Sequence, residues 1–148
     1  MDVAYKDLPS VAGQETGVSD WLQITQERVN MFAEATGDHQ WIHVDVPRAT
    51  QMLGGTIAHG YLTLSLLPYL SAGLLNVSGV THGINYGSDK VRFTNMVKVG
   101  KRVRLRQRLV SVEPKSGGWQ LKNENTIEIE GEERPACVAE TISLLYGA

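Results

Sequence analysis

Cysteine occurs once, at Cys137, so no intrachain disulfide can form and a reducing compartment is the simplest setting. Positive charge is not in excess either: 14 Lys and Arg stand against 16 Asp and Glu, a formal net charge of −2. Nucleic acid and anionic membranes usually select a basic surface, so neither is an expected partner. Bilayer spanning needs about 20 predominantly apolar residues. The run YLTLSLLPYLSAGLL, residues 61–75, is broken by Ser65, Pro68, Ser71 and Gly73 and reads instead as a buried helix. The stretch MDVAYKDLPSVAGQETG has no basic segment followed by an apolar core, which a secretory signal needs, so a cytoplasmic location is expected. Internal repeats and low-complexity tracts are missing too. A single domain over residues 1–148 is therefore expected, and a chain of this length buries roughly two-thirds of its unfolded surface.

The pattern that is present divides the chain by period. After a polar leader, Thr25 reads as an N-cap, with Gln26 and Glu27 in a first turn where an acid suits the helix dipole. Val29, Phe32, Ala33 and Thr36 follow the i, i+3, i+4, i+7 stripe of an amphipathic helix. Gly37 stops that helix, because glycine enters the left-handed conformation without strain, so Asp38 opens a loop. Asp45 reads as the cap of a short helix through Pro47 to Met52, ended by Gly54-Gly55. From Thr56 the residues are apolar nearly all round (Ile57, Ala58, Tyr61, Leu62, Leu64, Leu66, Leu67, Leu70), which predicts one long helix enclosed on several sides. Pro68 would cost about 3 kcal/mol in a helix interior, so a kink is expected near residues 64–68.

Beyond Gly79 the period becomes 2, with alternating segments at 81–86, 90–97, 101–112, 119–130 and 136–146. Gly117-Gly118 and Gly131 are hairpin signals, so at least the last three strands should pair antiparallel. One long helix with a mostly antiparallel sheet is an α+β domain. Arg102, Arg104, Arg106 and Arg108 share one strand face and form either a phosphate-binding comb or the partners of Glu124, Glu128 and Glu130 on the next strand.

The chemistry-bearing stretch is ATGDHQWIH, residues 35–43. Asp38 can be a turn residue and His43 a satisfied loop side chain. His39 and His43 have i, i+4 spacing, but they would share a face only on a helix that Gly37 ends, and no third ligand is evident, so no metal is expected. Alternatively, Asp38 and His43 form an acid/base pair, a carboxylate and an imidazole able to orient one water, take its proton and return one to carbon. Downstream, GTIAHGYL at 55–62 puts Gly60 at the start of the buried helix, where it serves either close packing or the approach of a ligand oxygen to free N–H groups. His59 is either a ligand contact or a polar cap to that helix.

Taken together, G-D-x4-H-x5-A at Gly37, Asp38, His43 and Ala49, followed by Ala58-His59-Gly60, resembles the (R)-specific enoyl-CoA hydratases of the MaoC-like dehydratase family, in its nodulation protein N-like branch. The similarity extends over most of the chain, including INYGSDKVRFTNMVKVG at 84–100. It implies a hot-dog fold, an antiparallel sheet wrapped around a long central helix, with two subunits joined through their sheets as a homodimer. It implies that Asp38 and His43 hold a water that adds to C3 of a trans-2-enoyl thioester of coenzyme A or acyl carrier protein, that the Gly60 N–H polarises the carbonyl, and that the product is a (3R)-3-hydroxyacyl thioester of fatty acid metabolism. No cofactor is implied.

Two positions depart from the family pattern. Its usual Asn-Pro is Gln40-Trp41 here, which alters the loop beside the pocket, and a helix serine of some members is Pro68. Asn85 and Tyr86 line the acyl tunnel or occupy ordinary sheet positions, and Lys90, Arg92 and Lys98 are candidates for the carrier phosphates. Two other functions fit the same fold: an acyl-CoA thioesterase, and a non-catalytic subunit of a heteromeric dehydratase. The first could work with a single acidic base, and the second would be expected to lose Asp38 or His43.

Overall fold

The computed structural model describes residues 1–148. Its framework is an antiparallel sheet in the order β2-β6-β7-β8-β5, from β2 (Glu15–Val18), β6 (Arg102–Lys115), β7 (Gly118–Ile129), β8 (Cys137–Gly147) and β5 (Val80–Arg92). The short β3 (Leu22–Gln23) also pairs with β6, while β1 (Asp2–Ala4) and β4 (Asn76–Ser78) form a separate parallel pair. The last three long strands pair as consecutive hairpins, as the glycine signals predict. Gly117 and Gly131 adopt φ of 81° and 79° at the two turns, a region open to glycine at little cost.

Two expected strands fuse. Residues 80–92 are one strand with register shifts at Asn85/Gly87 and Ser88/Lys90, and residues 93–97 leave the sheet as a loop. The shifts let one strand carry two alternation phases, which read from sequence as two separate runs. The leader is also structured. Its 3₁₀ turn Tyr5–Val11 buries Leu8 against Leu109 and Leu121, and the Trp119 indole N–H donates to the Tyr5 carbonyl at 2.9 Å.

The helices lie between α1 (Gln26–Thr36) and α5 (Leu67–Ser71), with α2 (Trp41–Val44), α3 (Val46–Leu53) and α4 (Gly60–Ser65) between. Thr25 caps α1 by accepting the Arg28 N–H at 3.2 Å, and Asp45 caps α3 by accepting the Arg48 N–H at 3.2 Å. The single long helix is not formed. Thr56–His59 run extended, with the Ile57 N–H bonded to the Ile42 carbonyl and the Ala58 N–H to Val97, so the apolar residues there are buried as a strap rather than a helical turn. The helix then breaks at Leu66, inside the expected interval, and Pro68 falls in the first turn of α5, where its missing N–H has no helical partner to lose. Tyr61 and Tyr69 are exposed, so this helical pair is covered on one side only.

The core packs Leu62, Leu66, Leu67 and Leu70 against Val103, Leu105, Ile127 and Ile129 of the sheet. On the opposite sheet face the arginine row is paired: Arg102 with Glu130, Arg104 with Glu128 at 2.8 Å, Arg106 with Glu15 at 3.0 Å and Arg108 with Glu124 at 3.5 Å. These guanidiniums are engaged across strands, and no phosphate comb is left. No helix is long and apolar enough to cross a membrane.

Candidate active site

The site is built where α1 stops. Gly37 turns left-handed at φ 84° and its N–H closes on the Ala33 carbonyl at 2.8 Å, which releases the chain at Asp38. Asp38 Oδ1 accepts the Gln40 N–H at 3.3 Å, a local turn that leads into the single turn of α2. That turn, not foreseen in the sequence, directs His43 inward. His39 stays outside at 3.3 Å from Glu34, so the two histidines do not share a site.

His43 is held at both ends. Its Nδ1 lies 2.6 Å from the Ile57 carbonyl, and since a carbonyl can only accept, Nδ1 carries the proton. Its own carbonyl accepts from Gln26 Nε2 at 2.8 Å, and Gln26 Oε1 in turn accepts from the Thr56 hydroxyl at 2.5 Å. With the Nδ1 proton engaged, Nε2 is the ring atom that faces Asp38, 3.9 Å from its Oδ2. That separation is too long for a direct hydrogen bond and leaves the two polar atoms facing one another. His43 is buried, whereas the Asp38 side chain is 51% exposed.

The cap reading of His59 is not what the structure shows, since its side chain makes no cap to α4. Instead its Nε2–H donates to the Asp38 backbone carbonyl at 3.0 Å, and its ring stacks on that of His43 with centroids 3.8 Å apart and Phe32 at 4.9 Å. It is 3% exposed, and Nδ1 is buried without a partner. His59 thus braces both halves of the pair, by a bond to a carbonyl 21 residues back that no local spacing could reveal.

Asp38, His43 and His59 each offer a ligand atom within 4.8 Å of the others. The two rings are only 23° from parallel, however, so their in-plane lone pairs run side by side rather than toward one ion, and Nε2 of His59 is already committed. The geometry suits proton transfer better than coordination.

Gly60 is the first residue of α4, so its N–H has no intrahelical acceptor. A Cβ there would lie 3.1 Å from the Phe93 ring, so close approach alone already calls for glycine. His43 and Gly60 both line a cavity of about 370 Å³ with Thr63, Phe93 and Arg134. Arg134 has no signal in the sequence beyond its place after the Gly131 turn. The remaining candidates lie elsewhere. Gln40 is an exposed residue before α2, and Trp41 lies under the Arg48 guanidinium at 4.2 Å; neither lines this cavity. Asn85 lines a second, larger cavity beside α4 and α5. Lys98 bonds the Leu53 carbonyl, Arg92 that of Val91, and neither they nor Lys90 line the site.

Residues 7–131 match the model of the MaoC like domain. The chain is 54% identical over 138 residues to 3-hydroxyacyl-thioester dehydratase Z of Mycobacterium tuberculosis, covering 92% of this chain and 91% of that one. It is 43% identical over 148 residues to nodulation protein N of Rhizobium leguminosarum, covering 97% and 92%. Among solved structures, the R-hydratase PhaJ1 of Pseudomonas aeruginosa superposes with a TM-score of 0.74 at 21% identity, covering 93% of this chain and 83% of that one, which establishes the shared hot-dog fold.

Proposed function

Because the chain belongs to the MaoC-like dehydratase family, we propose that it is a hydro-lyase that adds water reversibly across the double bond of a trans-2-enoyl thioester to give the (3R)-3-hydroxyacyl thioester. The observation that carries this reading is the tautomer of His43: Nδ1–H is spent on Ile57, so Nε2 is free as a base toward Asp38 Oδ2 at 3.9 Å. A water between them donates one proton to Nε2 and the other, as a hydrogen bond, to Asp38. As its oxygen bonds to C3, the π electrons move to the thioester carbonyl, whose developing negative charge meets the Gly60 N–H. The proton on Nε2 then passes to C2 on the same face, so atoms and charge balance. Dehydration is the reverse sequence, through the same transition state.

Arg134, at the rim, supplies a cation suited to the phosphates of coenzyme A or of an acyl carrier protein. The functional unit is a homodimer. Support comes from β5, a 13-residue edge strand whose outer ladder is unpaired and which exposes Ile84 and Tyr86; such an edge is normally covered. The single free Cys137 supports a reading in which the protein works in a reducing, cytoplasmic setting.

The test is incubation of purified protein with trans-2-enoyl-CoA substrates of stepped length. Loss of enoyl absorbance with no free thiol supports hydration; thiol release would transfer the assignment to a thioesterase.

A further inference from the structure

The second cavity, about 690 Å³, lies between the helical pair and the inner face of the sheet; Leu64 and Leu67 line one side, and Gln107, Asn123, Asn125 and Thr141 the other. A sheet face that covers a helix is ordinarily apolar, and on this face Leu105 and Ile127 are fully buried. Next to them, Gln107 and Asn125 are 8% and 1% exposed. Local breaks in the apolar pattern concentrate at functional sites.

Most of this polar row closes on itself. The Thr16 hydroxyl donates to Gln107 Oε1 at 3.0 Å, Gln107 Nε2 donates to Asn125 Oδ1 at 2.9 Å, and Asn125 Nδ2 donates to Thr141 Oγ1 at 2.9 Å. Were the row only a brace for the sheet, it would be complete there. Asn123, two residues along the same face and opposite Thr141 in register, is left out: its Oδ1 is buried with no hydrogen-bond partner. Beside it the Thr141 hydroxyl, already accepting from Asn125, keeps its own proton to give.

We propose that this chamber holds the distal part of the acyl chain and selects chains that carry a hydroxyl there, bound by Asn123 and Thr141. The inference rests on the acyl-thioester reading above. Gly60 opens α4 and Leu67 opens α5, and at about 1.5 Å per residue Leu67 is some 10 Å along the helical pair from the N–H that faces the carbonyl. A chain of medium length running along the helices reaches the chamber. A plain hydrocarbon laid over Asn123 strands its buried amide, at a cost of about tenfold or more in affinity, whereas a hydroxyl both donates and accepts and so satisfies the amide and the Thr141 proton together. The volume is that of a small-molecule pocket.

The experiment compares kcat/KM for plain and ω-hydroxylated trans-2-enoyl-CoA substrates of stepped length, in the wild type, Asn123→Leu and Thr141→Val, with circular dichroism as the check on folding. In the wild type the hydroxylated chain should be favoured by about tenfold once it is long enough to reach Asn123. Asn123→Leu should reverse that preference, and Thr141→Val should weaken it. An unchanged hydroxyl-to-plain ratio in folded variants overturns the inference. A wild type that hydrates no enoyl-CoA defeats the hydratase reading instead; calorimetry of saturated acyl-CoA against its ω-hydroxy counterpart then decides the chamber on binding alone, and equal affinities overturn it.

Discussion

In the proposed reaction the decisive atom is Nε2 of His43, left free because a backbone carbonyl claims the other ring nitrogen. Asp38 and His43 were legible as a candidate pair because the glycine stop puts both in one short connector, but the helical turn that directs His43 inward was not. His59 was only half legible: it could be named as a candidate, but its acceptor is a main-chain atom that spacing does not encode. Replacing His59 by Phe keeps a ring on His43 and removes the donor to Asp38, so kcat should fall about tenfold with KM little changed, and His59→Gln, which restores a donor, should recover part of the loss. Equal kcat in both variants and the wild type would leave His59 as packing alone. Next to Ala136, which lines the cavity with His43 and Gly60, burial pushes the Cys137 thiol up from 9.0 to about 11. A raised folded pKa means stability that is complete below the unfolded value and lost as pH rises, so urea midpoints should fall between about pH 9 and about pH 11, and less so in Cys137→Ala. A parallel decline in both proteins would remove the thiol from the explanation.

Elements place those atoms, and here the sequence misled in one instructive way. Ile57 and Ala58 are buried, as an all-round apolar helix demands, yet they lie in an extended strap; burial alone does not distinguish a strap from a turn when the run is short. The strap is what offers the Ile57 carbonyl to His43, and a helix starting at Thr56 would have spent that carbonyl on its own ladder. The caps, by contrast, were readable because Thr25 and Asp45 bond to groups three residues on. Removing the first, Thr25→Ala, should cost about 1 kcal/mol, read as a lower urea midpoint, because it frees the Arg28 N–H at the end of the helix that sets Asp38. No change in midpoint would mean that water replaces the hydroxyl without loss. The N-terminal strands escaped notice because a short strand in a polar leader has no period to show.

At the scale of the molecule, an antiparallel sheet closes over broken helices on one side and leaves β5 as a long open edge. Its three register shifts could not be foreseen, since each simply shifts the alternation by one. In the proposed dimer this edge is the seam, so Tyr86→Pro, which removes a ladder donor, should shift sedimentation from dimer toward monomer; a wild-type monomer at micromolar concentration would refute the seam. Joint action of Asp38 and His43 on one water opposite the Gly60 amide, as proposed, is tested most directly by steady-state hydration of crotonyl-CoA by the wild type, Asp38→Asn and His43→Gln. Each substitution should lower kcat by about 10² or more with the circular dichroism spectrum unchanged and a (3R) product from the wild type; near-normal turnover in either variant would contradict the account.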